Sequence, residues 1–284
     1  MQSSIDLKKL KLNIQPHVLA GLLHLNDEST MNFRELERLI SSDQNMTAMI
    51  LKAANSSFYG RGNEIKTPQH AIAMLGFKVV RSLALLAQSK QMFDTQSYSR
   101  FKKYVWEHSV VTAVISKHLT QKLQMTDIQE EAFIAGLLHD IGKIVLHLHD
   151  REKFIKVIDM ATLDNIPFAD AENKIFGTDH LKMGEEAVVQ WNLPPTFKNI
   201  MACHRSGGIA SADGADKKLL FVVSYANFLA KKFGFGHMSP ADTNDGDIYQ
   251  KELSLKDTQI KYFSEDYPKI LQNDEFYKFF QTIV

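Results

Sequence analysis

Apolar residues recur along most of this chain at the three-and-four spacing of an amphipathic helix, and few stretches show the two-residue alternation of a half-buried strand. Val18, Leu19, Leu22, Leu23 and Leu25 predict a first helix opening at Pro16 and ending near residues 26–27. Asn32, with Glu35 three positions on, reads as the capping box of a second. Ser42 or Asp43 caps a third, whose apolar face is Met46, Met49, Ile50, Ala53 and Ala54; Asn55 and Ser56 lie at its turn-rich end. Thr67-Pro68 restarts the helix with a cap and a first-turn proline, Gly76 breaks it, and Phe77 opens a longer one to about Phe93.

The second half reads the same way. Helices are expected over 98–123, through the run at 132–145, over 151–163, from Pro167 to about Phe176, through His180 to Trp191, and after Pro195 to a stretch holding Cys203 and His204. Residues 217–233 predict the last strongly apolar helix, residues 236–250 an exposed loop, and the final segment helices that dock Phe263, Tyr267, Phe276 and Phe279. The fold class is therefore all-α. Asp94-Thr95-Gln96-Ser97 is the best boundary, and so short a link implies two packed helical lobes. The resulting division is an N-terminal lobe over 1–95, a second lobe over 96–235, and a loop with a C-terminal helical extension over 236–284.

Composition narrows the function classes. With 33 basic and 33 acidic residues the formal charge is zero, which excludes a bulk electrostatic grip on nucleic acid or an anionic membrane. No apolar run reaches membrane-spanning length, and the first residues lack the order of a signal peptide. Cys203 is the only cysteine, so no internal disulfide can form and a cytoplasmic setting is expected.

One stretch sets the chemistry. Ala132 to Val145 is apolar on nearly every side except for His139-Asp140, then Gly142 and Lys143. A buried carboxylate is costly unless paired or bound to metal. Neighbouring helical positions diverge by about 100°, so the pair converges on one point only near a kink or a helix end, and Gly142 could supply such a break. His108, His180 and His204, on three other predicted helices, could join it, and imidazole plus carboxylate suits Fe, Mn, Zn or Ni. The bland alternative is a structural His-Asp pair. Lys143 could steady a phosphate, though a lysine past a helix break is commonly solvated. His147 and His149 read as surface or helix-end residues, His118 as one face away from His108, and Cys203 as a buried inert thiol.

The segment 136–143, Gly-Leu-Leu-His-Asp-Ile-Gly-Lys, with Trp106-Glu107-His108-Ser109 upstream, resembles the HD superfamily of metal-dependent phosphohydrolases. Residues 50–60 and 70–81, with Ile175 to His180 and Trp191 to Pro194, are similar to its HDOD branch, the HD-related output domain; the likeness covers about residues 14–230. It implies an HD-like helical domain in a bacterial, cytoplasmic signalling module. His108, His139, Asp140, His180 and His204 match ligand positions of HD and HD-GYP proteins. Arg205 stands where HD-GYP enzymes have a second consecutive histidine, and Asn227 where active HD enzymes have a final aspartate. An amide in place of that carboxylate holds a divalent ion less well and weakens activation of water. The leading expectation is regulation by binding a signalling protein or a small phosphorylated ligand. Its rivals are a metal-dependent phosphohydrolase or phosphodiesterase acting on a nucleotide or cyclic dinucleotide, with Asp140 and Lys143 as catalytic candidates, and a scaffold whose remnant site is empty.

Overall fold

The computed structural model describes residues 5, 7, 10, 16–25, 30–56, 65–93, 99–204, 216–274, 277, 278 and 281. These residues are helical and contain no strand, as the pattern predicts. They fall into two compact units, one of Leu12–Asp94 with Trp191–Pro194 and one of Met1–Lys11, Thr95–Gln190 and Pro195–Val284. The boundary predicted at 94–97 lies outside the described residues.

The smaller unit holds α1 (Pro16–His24), α2 (Thr30–Ser41), α3 (Gln44–Ala54), α4 (Pro68–Leu75) and α5 (Phe77–Phe93). Polar side chains fix its helix ends. Asp43 accepts from the Met46 N–H at 2.9 Å and caps α3, while its other oxygen accepts from Gln88 and Gln91 on α5. Asn55 closes α3 and clamps the returning chain, donating to Leu51 O and Ile65 O and accepting from Ile65 N. Arg81, 5% exposed, donates to Leu22 O and Leu23 O, satisfying the last carbonyls of α1. Helix α2 opens at Thr30, two residues before the predicted Asn32, and Glu35 pairs with Arg38 instead of boxing the helix start.

The larger unit holds α6 (Ser99–Phe101), α7 (His108–Lys122), α8 (Gln129–Leu138), α9 (Ile141–His149), α10 (Arg151–Leu163), α11 (Phe168–Phe176), α12 (His180–Gln190), α13 (Thr196–Cys203), α14 (Asp216–Lys232), α15 (Asp245–Glu252), α16 (Asp257–Lys261) and α17 (Tyr267–Asn273). Its centre is α7, which packs on α8 and α14. Eleven of the fifteen α7 residues are buried, which fits the lack of a polar face in its sequence. A Cβ at Gly136 would sit 2.8 Å from Ala113 Cα, so glycine lets α8 lie against α7.

Two predicted features differ. The helix expected over 98–123 is interrupted by a π-helical turn, Lys102–Glu107, whose wider spacing re-aims His108 at the start of α7. The region expected to be an exposed loop, 236–250, carries a helical turn at Pro240–Asp242 and then α15, with Ser239, Asp242, Asp245 and Tyr249 buried. Its Ser and Asp residues satisfy backbone groups: Asp242 accepts from both the N–H and the hydroxyl of Ser239. No helix among the described residues is long and apolar enough to cross a membrane.

Candidate metal centre

The larger unit brings His108, His139, Asp140, His180 and His204 together. All five are at most 3% exposed. Asp140 is the hub. Its Oδ2 lies 3.6 Å from His108 Nε2 and 3.4 Å from His139 Nε2; its Oδ1 lies 3.5 Å from His180 Nε2 and 3.4 Å from His204 Nε2. Helix ends achieve this convergence. His108 and His180 are the first residues of α7 and α12, and His204 caps the end of α13. His139 and Asp140 form the joint between α8 and α9, where Asp140 at φ −100° and ψ 21° leaves helical geometry. The joint thus precedes Gly142, which serves a different purpose. A Cβ there would run into His180 O and sit 2.7 Å from Gly184 N, so glycine at 142 lets α9 touch α12 and brings His180 to Asp140.

Hydrogen bonds decide which nitrogen of each ring faces inward. Nδ1 meets Phe235 O at 2.9 Å in His108, Gly136 O at 2.8 Å in His139 and Ile200 O at 3.0 Å in His204. In His180 it meets Glu172 Oε2 at 2.5 Å. Carbonyl oxygens only accept, so Nδ1 carries the proton and a neutral ring turns its Nε2 lone pair toward Asp140. Burial favours the neutral ring. It lowers the His108 pKa to about 4 and that of His139 well below its ordinary value, and lowers His204, each against the pull of Asp140. Burial pushes the Asp140 carboxyl up, but the Lys143 ammonium foremost, with imidazolium charge wherever a ring is protonated, outweighs it and holds it well below the usual carboxylate range. His108 and His139 then face each other lone pair to lone pair, Nε2 to Nε2, at 3.2 Å. Asp140 Oδ1 has no hydrogen-bond donor. The lone pairs of His108, His139 and His204 around a carboxylate are unfavourable alone and suit a cation, and the nitrogen-rich set fits a transition metal.

The surroundings include residues the sequence reading did not single out. Glu172, fully buried on α11, accepts from both the Nδ1 and the backbone N–H of His180. Such a carboxylate–imidazole pair orients a metal ligand and raises its basicity. It sits eight residues before His180, a spacing that points to no contact until the turn at Gly177 is known. The π turn and the 235–242 segment were equally hidden. Phe235 O fixes His108, and a Cβ on Gly236 would lie 2.8 Å from His108 Nδ1. His237 and Asp242 line a recess of about 370 Å³ beside the cluster, with Tyr104, Phe168, Asn227 and Lys231.

Lys143 is not solvated. It is 5% exposed, donates to Asp140 Oδ2 at 2.6 Å and lies over the Phe168 ring, because the joint turns α9's first face inward. His147 is also buried, one turn further along that face, stacked on Phe101 at 3.8 Å. His149 is exposed at the end of α9, as expected. His118 faces away from the site and bonds the Tyr267 hydroxyl instead. Cys203 is half-buried, short of the full burial expected. Asn227 does line the recess, 4% exposed with its Oδ1 unpartnered among the described residues. Arg205 lies outside the described residues.

Known proteins share the fold. A protein of Treponema pallidum (strain Nichols), itself uncharacterised, is 22% identical over 212 residues, 75% of this chain but only 40% of that relative's length. An HDOD domain protein of unknown function from Geobacter sulfurreducens shares the fold at a TM-score of 0.70 and 22% identity, covering 89% of this chain and 83% of its own. A Shewanella amazonensis SB2B protein, provisionally described as a phosphohydrolase, gives 0.65 at 21% identity, covering 92% and 91%. A Marinobacter aquaeolei VT8 protein, provisionally described in signal transduction, gives 0.69 at 20% identity, covering 94% and 61%. At these identities the solved structures speak to the fold alone. The family model of the HDOD domain matches residues 12–206, well over half of the sequence, and the chain belongs to the HDOD family.

Proposed function

We propose that this chain is a regulatory module that works by binding, holding one divalent transition metal and, beside it, a small phosphorylated ligand. His108, His139, Asp140, His180 and His204 would hold the metal, which when bound supplies a Lewis-acidic anchor for a phosphate oxygen. Lys143 and Lys231, both at the recess, add positive charge for the same anion.

The observation that carries this reading is the charge count at the centre. Asp140 is the only carboxylate facing the four Nε2 atoms among the described residues, and the Lys143 ammonium already sits on it. Glu172 lies behind His180, and Asp242 is spent on Lys231 and Ser239. Where a second inward carboxylate would balance a second ion, Asn227 offers a neutral amide oxygen. Two divalent ions would leave several uncompensated charges in a buried site, and one is far easier to hold.

A second reading has its own observation. Each oxygen of Asp140 faces a separate pair of imidazoles, so the five residues would present two sets of donors and could hold the two ions of a metal-dependent phosphohydrolase. Two measurements separate the readings. Elemental analysis of the purified protein is expected to find about one transition metal per chain, lost in His139→Ala. Assays on a cyclic dinucleotide, nucleotides and a generic phosphodiester are expected to show no turnover by wild type and some turnover by Asn227→Asp. Wild-type hydrolysis that disappears in His139→Ala would replace the binding reading with the enzymatic one.

A further inference from the structure

A second recess of about 200 Å³ adjoins the first, and His204, Asn227, Lys231 and Asp242 line both. One stripe of α14 builds its floor: Ser224, Asn227 and Lys231 fall three and four residues apart and share a face. Asp242, Asp245 and Tyr249, from the turn before α15 and from α15 itself, close it.

Two polar groups on that floor lack partners among the described residues. Ser224 Oγ is fully buried and Asn227 is 4% exposed, yet neither Ser224 Oγ nor Asn227 Oδ1 has a hydrogen bond. Buried polar atoms are left unpaired at a cost of roughly 1–3 kcal/mol each unless something outside the chain completes them. The unfilled space beside these two atoms is about that of one water, so what completes them is a single water-sized polar group. What the recess offers is mostly acceptors: an amide oxygen, the Asp245 carboxylate and a hydroxyl. The missing partner must therefore bring donors. A cationic amine is disfavoured, because the Lys231 ammonium already occupies this space, 3.1 Å from Asp242 Oδ1. Neutral hydroxyl donors remain, and a ligand carrying them here reaches the metal-side recess past His204.

We infer that the second recess is a subsite for one hydroxyl group of a phosphorylated sugar or polyol, whose phosphate lies in the recess beside Asp140 and Lys143. The inference rests on the proposed binding function, which supplies the metal and the anion site, and adds the chemical class of the ligand. Ser224, Asp245 and Tyr249 all lie beyond residues 12–206, so this specificity would be written outside the part of the chain that matches the family.

Calorimetric titration of the full-length, metal-loaded protein with two monoesters, ribose 5-phosphate and ethyl phosphate, tests it. Ribose 5-phosphate is expected to bind about tenfold more tightly, the worth of a hydrogen bond to a charged acceptor. Asp245→Asn and, separately, Ser224→Ala are expected to bring the ratio toward one while ethyl phosphate keeps its wild-type affinity. Equal affinity for the two esters in wild type, or a ratio that neither variant changes, overturns the subsite and leaves the metal-and-phosphate reading standing. Failure of both esters to bind overturns that reading and the subsite with it.

Discussion

Glu172 does two things at once for a single neighbour. It takes the N–H that opens α12 and the Nδ1 proton of the same residue's ring, so His180 is fixed in backbone and side chain by one carboxylate. Glu172→Gln keeps the shape but removes the charge, and an amide cannot favour the developing positive charge of a metal-bound imidazole as a carboxylate does. Metal affinity measured by chelator competition is expected to fall about 10–100-fold, with the helical circular dichroism unchanged. An unaltered affinity would remove Glu172 from the site. His139 and Asp140 were legible in the sequence because an imidazole and a carboxylate inside an apolar run contradict their surroundings and call for a reason, whereas His108, His180 and His204 were singled out as their companions by the resemblance to HD proteins. Their supports were not. A glutamate on an amphipathic helix is unremarkable until α11 turns back at Gly177, whose left-handed φ of 74° ends the helix. Gly142 was legible as a break and is instead a point of contact, since a missing side chain serves either use and looks the same in the sequence.

At the scale of elements, periodicity located the helices and missed what polar residues do between them. The 236–250 stretch is rich in Asp, Asn, Ser and Gly, which favour caps as well as loops, and only the fold reveals that Ser239 and Asp242 are capping each other. The π turn before His108 carries no pattern of its own, because one widened turn barely shifts apolar spacing. Helix α17 shows how the C-terminal segment is docked. Tyr267 is fully buried with its hydroxyl bonded to His118 Nδ1, and Asp274 Oδ2 lies 3.3 Å from His118 Nε2. His118→Phe leaves that hydroxyl without its partner and is expected to destabilise the protein by about 1–3 kcal/mol. Urea denaturation reads the total. Hydrogen exchange would localise the loss to α17, and a uniform loss of protection would show that His118 does not act as its anchor.

Across the whole molecule, burial of histidine ties stability to pH. His147 lies between Phe101 and Phe154 with no exposed surface, and burial lowers its pKa from 6.5 to about 4. His108, also at about 4, shifts in the same direction for the same first cause. Between these values the unfolded chain binds protons that the folded chain refuses. The stability these neutral rings provide is complete above pH 6.5, and it declines as pH falls from about 6.5 toward about 4. The site histidines hide their share of this whenever metal is bound, since protons and metal then compete for the same lone pairs. His147 makes the cleaner probe because it lies outside the cluster, and its proton uptake answers first to burial and then to the nearby charge of Arg151. In metal-free protein the unfolding free energy, from urea titrations at pH 6.0, 5.5 and 5.0, is expected to fall with acidification in wild type. His147→Phe keeps an aromatic ring against Phe101 and removes the titration, so it should flatten that slope by up to one proton, about 1.4 kcal/mol per pH unit. Parallel slopes in the two proteins would mean that the buried imidazole gains its proton without unfolding, through an opening at the α9–α10 junction that the folded chain tolerates.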